Sequence, residues 1–279
     1  MKIKFTTLAE NTASYMGLLG EWGWSILIEV ENTKILLDTG GPSGTAVYNA
    51  LKMGIDLSSI DKIVLSHGHA DHTGGLREML TMMRKKVEII AHPDIWTAKY
   101  RKTKDSSSYI GIPFQRRELE SLGASFTLSS EPVRLTDNVT TTGEIPMVTD
   151  YEQLEPAQVV MENGDFKLDP LLDDLAIVIK NNSALEVITG CAHHGIVNTL
   201  YRAQQLSGLS SINTVVGGTH LYPATEERIN NTIAEIKKLK VKKLGVSHCT
   251  GFHACSRLAE ALNDAFFVNN AGTRLILSS

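Results

Sequence analysis

Several kinds of protein are excluded by what this chain lacks. No apolar run approaches the roughly 20 residues that a bilayer-spanning helix needs. There is no basic excess: 27 Lys and Arg stand against 31 Asp and Glu, a formal charge of −4. Nucleic acid is therefore not an expected partner, and neither is a membrane. The three cysteines, Cys191, Cys249 and Cys255, are too few and too scattered for a disulfide framework. The opening Met1-Lys2-Ile3-Lys4-Phe5-Thr6 has no apolar core of the secretory type. A reducing cytoplasm is the expected compartment. The 279 residues, 42% hydrophobic and 21% charged, can bury a sizeable core.

What is abundant is histidine at strand ends. Ile63-Val64-Leu65-Ser66 reads as a strand, and His67-Gly68-His69-Ala70-Asp71-His72 follows at once. Three imidazoles and a carboxylate in one tight turn make poor core material. They suit a borderline-soft divalent cation such as zinc. At this spacing His67 and His69 can turn to one ion while Asp71 and His72 turn to a second.

Three further polar clusters follow apolar strands: Thr189-Gly190-Cys191-Ala192-His193-His194, Gly217-Gly218-Thr219-His220 and Ser247-His248-Cys249-Thr250-Gly251. Side chains at strand C-termini can converge although distant in sequence, because a sheet aligns its strand ends. Seven of the nine histidines lie in the four clusters. That concentration points to a dinuclear metal site. His92 and His253 read as ordinary histidines, and so does His194, since His193 is better spaced from Cys191. Cys249 and Cys255 read as structural.

The surrounding pattern alternates strands and helices. Trp24 to Val30 and Lys34 to Leu37 read as paired strands across an Asn32-Thr33 turn. Ala46-Val47, Leu51 and Met53 suggest one face of a short helix. Leu76, Met79-Leu80 and Met83 give a second helix, closed by Arg84-Lys85-Lys86. Leu175–Ile179 and Leu185–Ile188 read as a hairpin. Helices are expected near 196–206, 229–236 and 258–265. Residues of about 99–168, rich in Ser, Thr and proline, read as a substrate-side insertion in one domain spanning 1–279. Their apolar content is too high for a free linker.

The loop His67 to His72, with Asp38-Thr39-Gly40 and His248, resembles the H-x-H-x-D-H pattern of the metallo-β-lactamase superfamily. The resemblance implies an α/β fold, a four-layer αββα sandwich with metals at one edge between two sheets. A narrower resemblance rests on Thr142-Gly143-Glu144-Ile145-Pro146, Thr189-Gly190-Cys191-Ala192-His193, Gly217-Gly218-Thr219-His220 and His248-Cys249-Thr250-Gly251. These are similar to the subgroup containing archaeal dihydropterin–ribofuranosylaminobenzene phosphate synthases. It extends over nearly the whole chain.

Carried over residue by residue, the resemblance implies that His67 and His69 bind one metal, and that Asp71, His72 and His248 bind the other. His193 is the expected third ligand of the first metal, with Cys191 as a thiolate ligand or close neighbour, standing where a bridging aspartate is common. Asp174 is the competing ligand. Two divalent ions are expected, zinc first, with manganese or iron as alternatives. His69 stands where the superfamily's di-iron oxygen reductases usually carry glutamate, which points away from a redox role.

Such ions acidify water and clamp ester or phosphate oxygens, so a hydrolase of a small phosphorylated or carboxylated substrate is the first reading. Asp71 and His220 are the candidate catalytic residues, His220 as a general acid or phosphate contact. Asp38 is a candidate partner for a ligand histidine. Arg116-Arg117 could meet an anionic substrate, though paired basic residues usually mark a solvated helix face. The alternatives are a pterin-methyl transferase and a non-catalytic metal or redox sensor. Monomer and homodimer both fit the sequence.

Overall fold

The structure, a computed structural model, describes residues 1–277. Its strands in chain order are β1 (Ile3–Ala9), β2 (Ser25–Val30), β3 (Thr33–Leu37), β4 (Lys62–Val64), β5 (Val87–Ala91), β6 (Lys99–Lys102), β7 (Ser107–Tyr109), β8 (Ala124–Leu128) and β9 (Val139–Thr141). The remainder are β10 (Gln158–Glu162), β11 (Asp165–Leu168), β12 (Ala176–Asn181), β13 (Ala184–Thr189), β14 (Ser211–Gly217), β15 (Lys243–Val246), β16 (Phe266–Val268) and β17 (Arg274–Leu277). The helices are α1 (Thr45–Lys52), α2 (Ala70–Thr73), α3 (Leu76–Met83), α4 (Arg116–Ser121), α5 (Ile196–Ser207), α6 (Glu226–Lys238) and α7 (Phe252–Leu262).

Two large sheets form the centre. One runs β17-β1-β2-β3-β4-β5-β8, the other β16-β15-β14-β13-β12-β9. Both inner faces are apolar: Ile3, Phe5, Ile26 and Ile28 from the first meet Val139, Ile177, Ile179 and Ile188 from the second. Each outer face is covered by helices. Ala46, Val47, Leu76, Met79 and Leu80 pack on the first sheet. Ile196, Leu200, Ile229, Ile233 and Leu258 pack on the second. A sheet with two apolar faces needs both covered, which gives the four αββα layers.

Local sequence explains the elements. The four buried residues of α3 lie on one face, and the helix ends at Arg84 in the left-handed region. Thr225 caps α6, whose acidic Glu226 and Glu227 open it and whose Lys237 and Lys238 close it, as the helix dipole favours. Two expectations shift. The β2–β3 turn is Glu31-Asn32, because Val30 pairs with Thr33. On α1, Leu51 is exposed, and the buried face is Ala46, Val47 and Ala50.

Residues 99–168 contribute β6, β7, β10 and β11, which form a separate sheet ordered β11-β10-β6-β7. The same stretch also supplies β8 and β9 to the two large sheets. Within those sheets β3, β4, β5 and β8 run parallel, as do β13 to β16. Parallel strands share a C-terminal edge. Asp38, His67, Cys191, His220 and His248 all follow such strand ends.

Candidate metal centre

The first loop is shaped by Asp38. Its Oδ1 accepts the Ser66 amide at 2.7 Å and its Oδ2 accepts the Ser66 hydroxyl at 2.6 Å. This holds the end of β4 against the end of β3. Gly68 is required by close approach: a Cβ there would lie 2.6 Å from the Ile95 carbonyl oxygen. Gly190 is required too, since a Cβ would meet Ser66 Oγ at 2.0 Å.

His67, His69 and His193 converge. His67 Nε2 lies 2.9 Å from His69 Nδ1 and 3.1 Å from His193 Nε2. Nitrogens bound tetrahedrally to one zinc ion stand about 3.4 Å apart, so the trio is near the required size. Burial lowers all three pKa values, His69 to about 3, leaving neutral imidazoles with lone pairs free for a cation. His67 Nδ1 sits 2.9 Å from Ser66 Oγ, which donates onward to Asp38. That relay puts the His67 proton on Nδ1 and the lone pair on Nε2, toward its two neighbours.

Asp71, His72 and His248 form a second group whose ligand atoms lie within 4.8 Å of one another. Asp71 Oδ2 is 3.2 Å from His248 Nε2. His72 Nδ1 bonds Asp38 Oδ2 at 2.7 Å, and His248 Nδ1 bonds Asn11 Oδ1 at 2.9 Å. Each bond fixes a tautomer and aims Nε2 into the group. Burial would lower the His72 pKa, but Asp38 and Asp71 raise it to about 9. Burial likewise opposes Asp71, but His72 and His248 bring its pKa down. Glu10 Oε1 accepts the His248 amide at 2.7 Å, supporting that residue's left-handed backbone.

Cys191 lies between the groups. Its Sγ is 3.1 Å from His72 Nε2, and it clusters with His67 and His72 and also with His193 and His220. Burial raises its pKa well above the ordinary thiol range. Cys249 clusters with Cys191 and His248, and its sulfur accepts the His220 amide at 3.3 Å. It faces the site, where the sequence suggested only a structural role. His220 stacks near His193, ring centroids 4.1 Å apart, with Glu155 3.4 Å from its Nε2. Burial would lower the His220 pKa, but Cys249 and Glu155 push it to about 9.

Other candidates lie outside these groups. Asp174 Oδ2 accepts the His194 amide at 2.9 Å, and the residue belongs to none of the ligand groups found among the described residues. The His194 ring is held between the carbonyls of Ile145 and Pro170. His92 pairs with Glu144, and His253 with Glu226 at the surface. Arg116 pairs with Glu120 on an exposed face of α4. Cys255 is half-buried on α7, and all three cysteines are free.

Above the metal-type residues is a cavity of about 500 Å³ lined by Trp22, Arg101, Tyr109, Ile110 and Tyr222 as well as the ligand side chains. Trp22 lies 5.0 Å from the His248 ring and 6.0 Å from that of Tyr222. A second cavity of about 620 Å³ shares Glu155, His220 and Pro223 with the first. Sequence reasoning missed Glu10, Asn11, Trp22, Arg101, Tyr109 and Glu155. Glu10 and Asn11 follow β1, whose alternation gave no site signal. Arg101 and Tyr109 sit on the small sheet, where only its topology brings them over the metal groups.

A fold of two helix-covered sheets, with histidine and aspartate gathered at their shared C-terminal edge, defines the class. The sequence profile of the metallo-beta-lactamase superfamily matches residues 23–197, and the chain belongs to that superfamily. It is similar to the 7,8-dihydropterin-6-methyl-4-(beta-D-ribofuranosyl)-aminobenzene-5'-phosphate synthase of Methanocaldococcus jannaschii, 36% identical, covering 97% of this chain and 95% of the relative. An uncharacterized protein of the same organism is 32% identical over 92% of this chain and 94% of its own. Among solved structures, Tm1679, described as a metal-dependent hydrolase of the beta-lactamase superfamily, superposes with a TM-score of 0.85. It is 26% identical and covers 99% of this chain and 100% of that one. Divalent-metal binding is a property this fold family implies, and the two ligand groups fit it.

Proposed function

We propose that this chain is a two-metal enzyme that expels a phosphate or diphosphate group from a planar, pterin-like substrate and transfers the remaining carbon centre to a second substrate. The observation that carries the reading is the pair of cavities meeting at His220 and Glu155. A hydrolase needs one substrate chamber and water, whereas a synthase must seat two organic partners on either side of the reacting bond. The likeness to the pterin synthase over nearly the whole chain supports the same reading.

His67, His69 and His193 would hold one ion, and Asp71, His72 and His248 the other, with Cys191 as a further thiolate donor. A thiolate favours zinc over magnesium or manganese. Ions held there would supply Lewis acidity toward a leaving phosphate. Trp22, Tyr109 and Tyr222 line the cavity and offer aromatic faces to a planar ring. Arg101 at the cavity wall meets an anionic group on the substrate. His220 holds a proton at Nε2, steadied by Glu155, and gives it to the departing oxygen. In the balanced step the C–O bond breaks, its electron pair leaves with the diphosphate, and the acceptor's nucleophilic atom forms the new bond and sheds a proton.

Hydrolysis is the second reading. The whole-chain superposition on a protein described as a metal-dependent hydrolase favours it. Zinc-loaded protein given a pterin-methyl diphosphate, with and without a ribosylated aminobenzene phosphate, separates the two. Pyrophosphate released only with the acceptor supports transfer. Release at equal rate without it sinks transfer in favour of hydrolysis. No release under either condition contradicts the pterin assignment.

A further inference from the structure

Two consecutive aspartates, neither a member of the ligand groups, hold the backbone beside the first of them. Asp173 Oδ2 accepts the Gly68 amide at 2.8 Å, and Gly68 stands between His67 and His69. Asp174 Oδ2 accepts the His194 amide at 2.9 Å, one residue beyond His193. Asp173 is in turn held by Lys99, whose Nζ lies 2.9 Å from Asp173 Oδ1 and 2.9 Å from Asp169 Oδ2. Lys99, Asp169 and Asp173 are all essentially inaccessible to solvent.

A buried ion triad is a weak source of stability, because removing three charges from water costs about as much as their attraction returns. Its placement is what it contributes. Lys99 begins β6 in the small sheet, Asp173 and Asp174 precede β12 in one large sheet, and Gly68 follows β4 in the other. Three sheets are thereby tied at one backbone amide. Gly68 has no slack there, since a Cβ would lie 3.3 Å from Asp173 Oδ2 and 3.2 Å from Lys99 Cε.

We infer that Asp173, locked by Lys99, and the adjoining Asp174 are positioning residues that set the spacing of the His67–His69–His193 trio and so its affinity for a metal ion. Neither belongs to a ligand group among the described residues. The His72 and His248 rings of the second trio are held instead by Asp38, Asn11 and Glu10. The inference rests on the reading that each trio binds an ion.

The test is a competition titration of metal-free protein with Zn²⁺ against a chromophoric chelator, in two backgrounds. His248→Gln disables the second trio and leaves the first. His193→Gln does the reverse. Asp173→Asn should weaken Zn²⁺ binding about 10- to 100-fold in the His248→Gln background and leave it unchanged in the His193→Gln background. Asp174→Asn should act in the same direction through His193. Equal loss in both backgrounds would mean a general structural role, and no loss in either would mean no role; both overturn the inference. If one variant fails to fold by circular dichroism, the other decides. If both fail, the aspartates are folding elements and the inference is wrong. Wild-type protein that binds no Zn²⁺ would instead overturn the underlying metal reading.

Discussion

Asp38 Oδ2 accepts a 2.7 Å hydrogen bond from His72 Nδ1 while the same carboxylate orients His67 through Ser66. One buried side chain thus fixes the tautomer of one histidine in each trio. Asp38 itself takes a left-handed backbone conformation, with φ of 59°. Such a conformation is uncommon for a residue with a Cβ and persists only where surrounding bonds determine it.

Asp38→Ala should therefore weaken both ions together, by about 10- to 100-fold in affinity. Chelator competition checks this. Loss confined to one ion would break the proposed sharing.

His220→Gln should lower kcat about 10²- to 10⁴-fold, the range of general acid catalysis, while metal content stays at the wild-type level. Both ring nitrogens of His220 lack a close hydrogen-bond partner among the described residues, and Glu155 stands 3.4 Å away. Metal analysis alongside turnover distinguishes a proton donor from a ligand. A variant that loses an ion would make His220 a ligand instead.

Trp22→Ala should raise KM for a planar substrate by about fivefold, the scale of one aromatic contact near 1 kcal/mol, with kcat little changed. Trp22 is half-exposed at the cavity, whereas Trp24 is buried in the inter-sheet core. Ligand binding should quench Trp22 fluorescence, and the variant should lose that signal. A quench that survives the substitution would place the ring elsewhere.

Glu152 gives a stability test at the N-terminus of α5. Gly195 offers α5 no side-chain cap, and Glu152 accepts the Val197 and Asn198 amides at 2.9 Å each in its place. Glu152→Ala should cost about 1–3 kcal/mol by leaving buried donors unpaired. Glu152→Gln, which retains an acceptor, should cost less. Urea denaturation of the metal-free protein measures both, and equal losses would contradict the capping role.

Much of this was legible from residue order because the ligand side chains sit in runs. His67 to His72 is continuous, and His193, His220 and His248 each follow an apolar strand, so strand-end convergence was a fair expectation. The αββα layers followed from the same alternation with the family resemblance. What stayed hidden comes from other elements. Asn11 reaches His248 across 237 positions of sequence, and Lys99 reaches Asp173 across 74. Neither pairing leaves a periodic or spacing signal. Asp174 competes for the ligand role in the sequence because it is acidic and near the right strand; the structure puts one of its oxygens on the His194 amide. Cys249 looked inert for the opposite reason, since burial and metal proximity are indistinguishable in a sequence.

The proposed function requires two separate metal sites, with His67, His69 and His193 in one and Asp71, His72 and His248 in the other. Metal analysis of zinc-reconstituted wild-type, His193→Gln and His248→Gln proteins, each shown folded, tests it most directly. The account predicts two ions for the wild type and one for each variant. Retention of two ions by either variant, or a wild type that holds fewer than two, would contradict it.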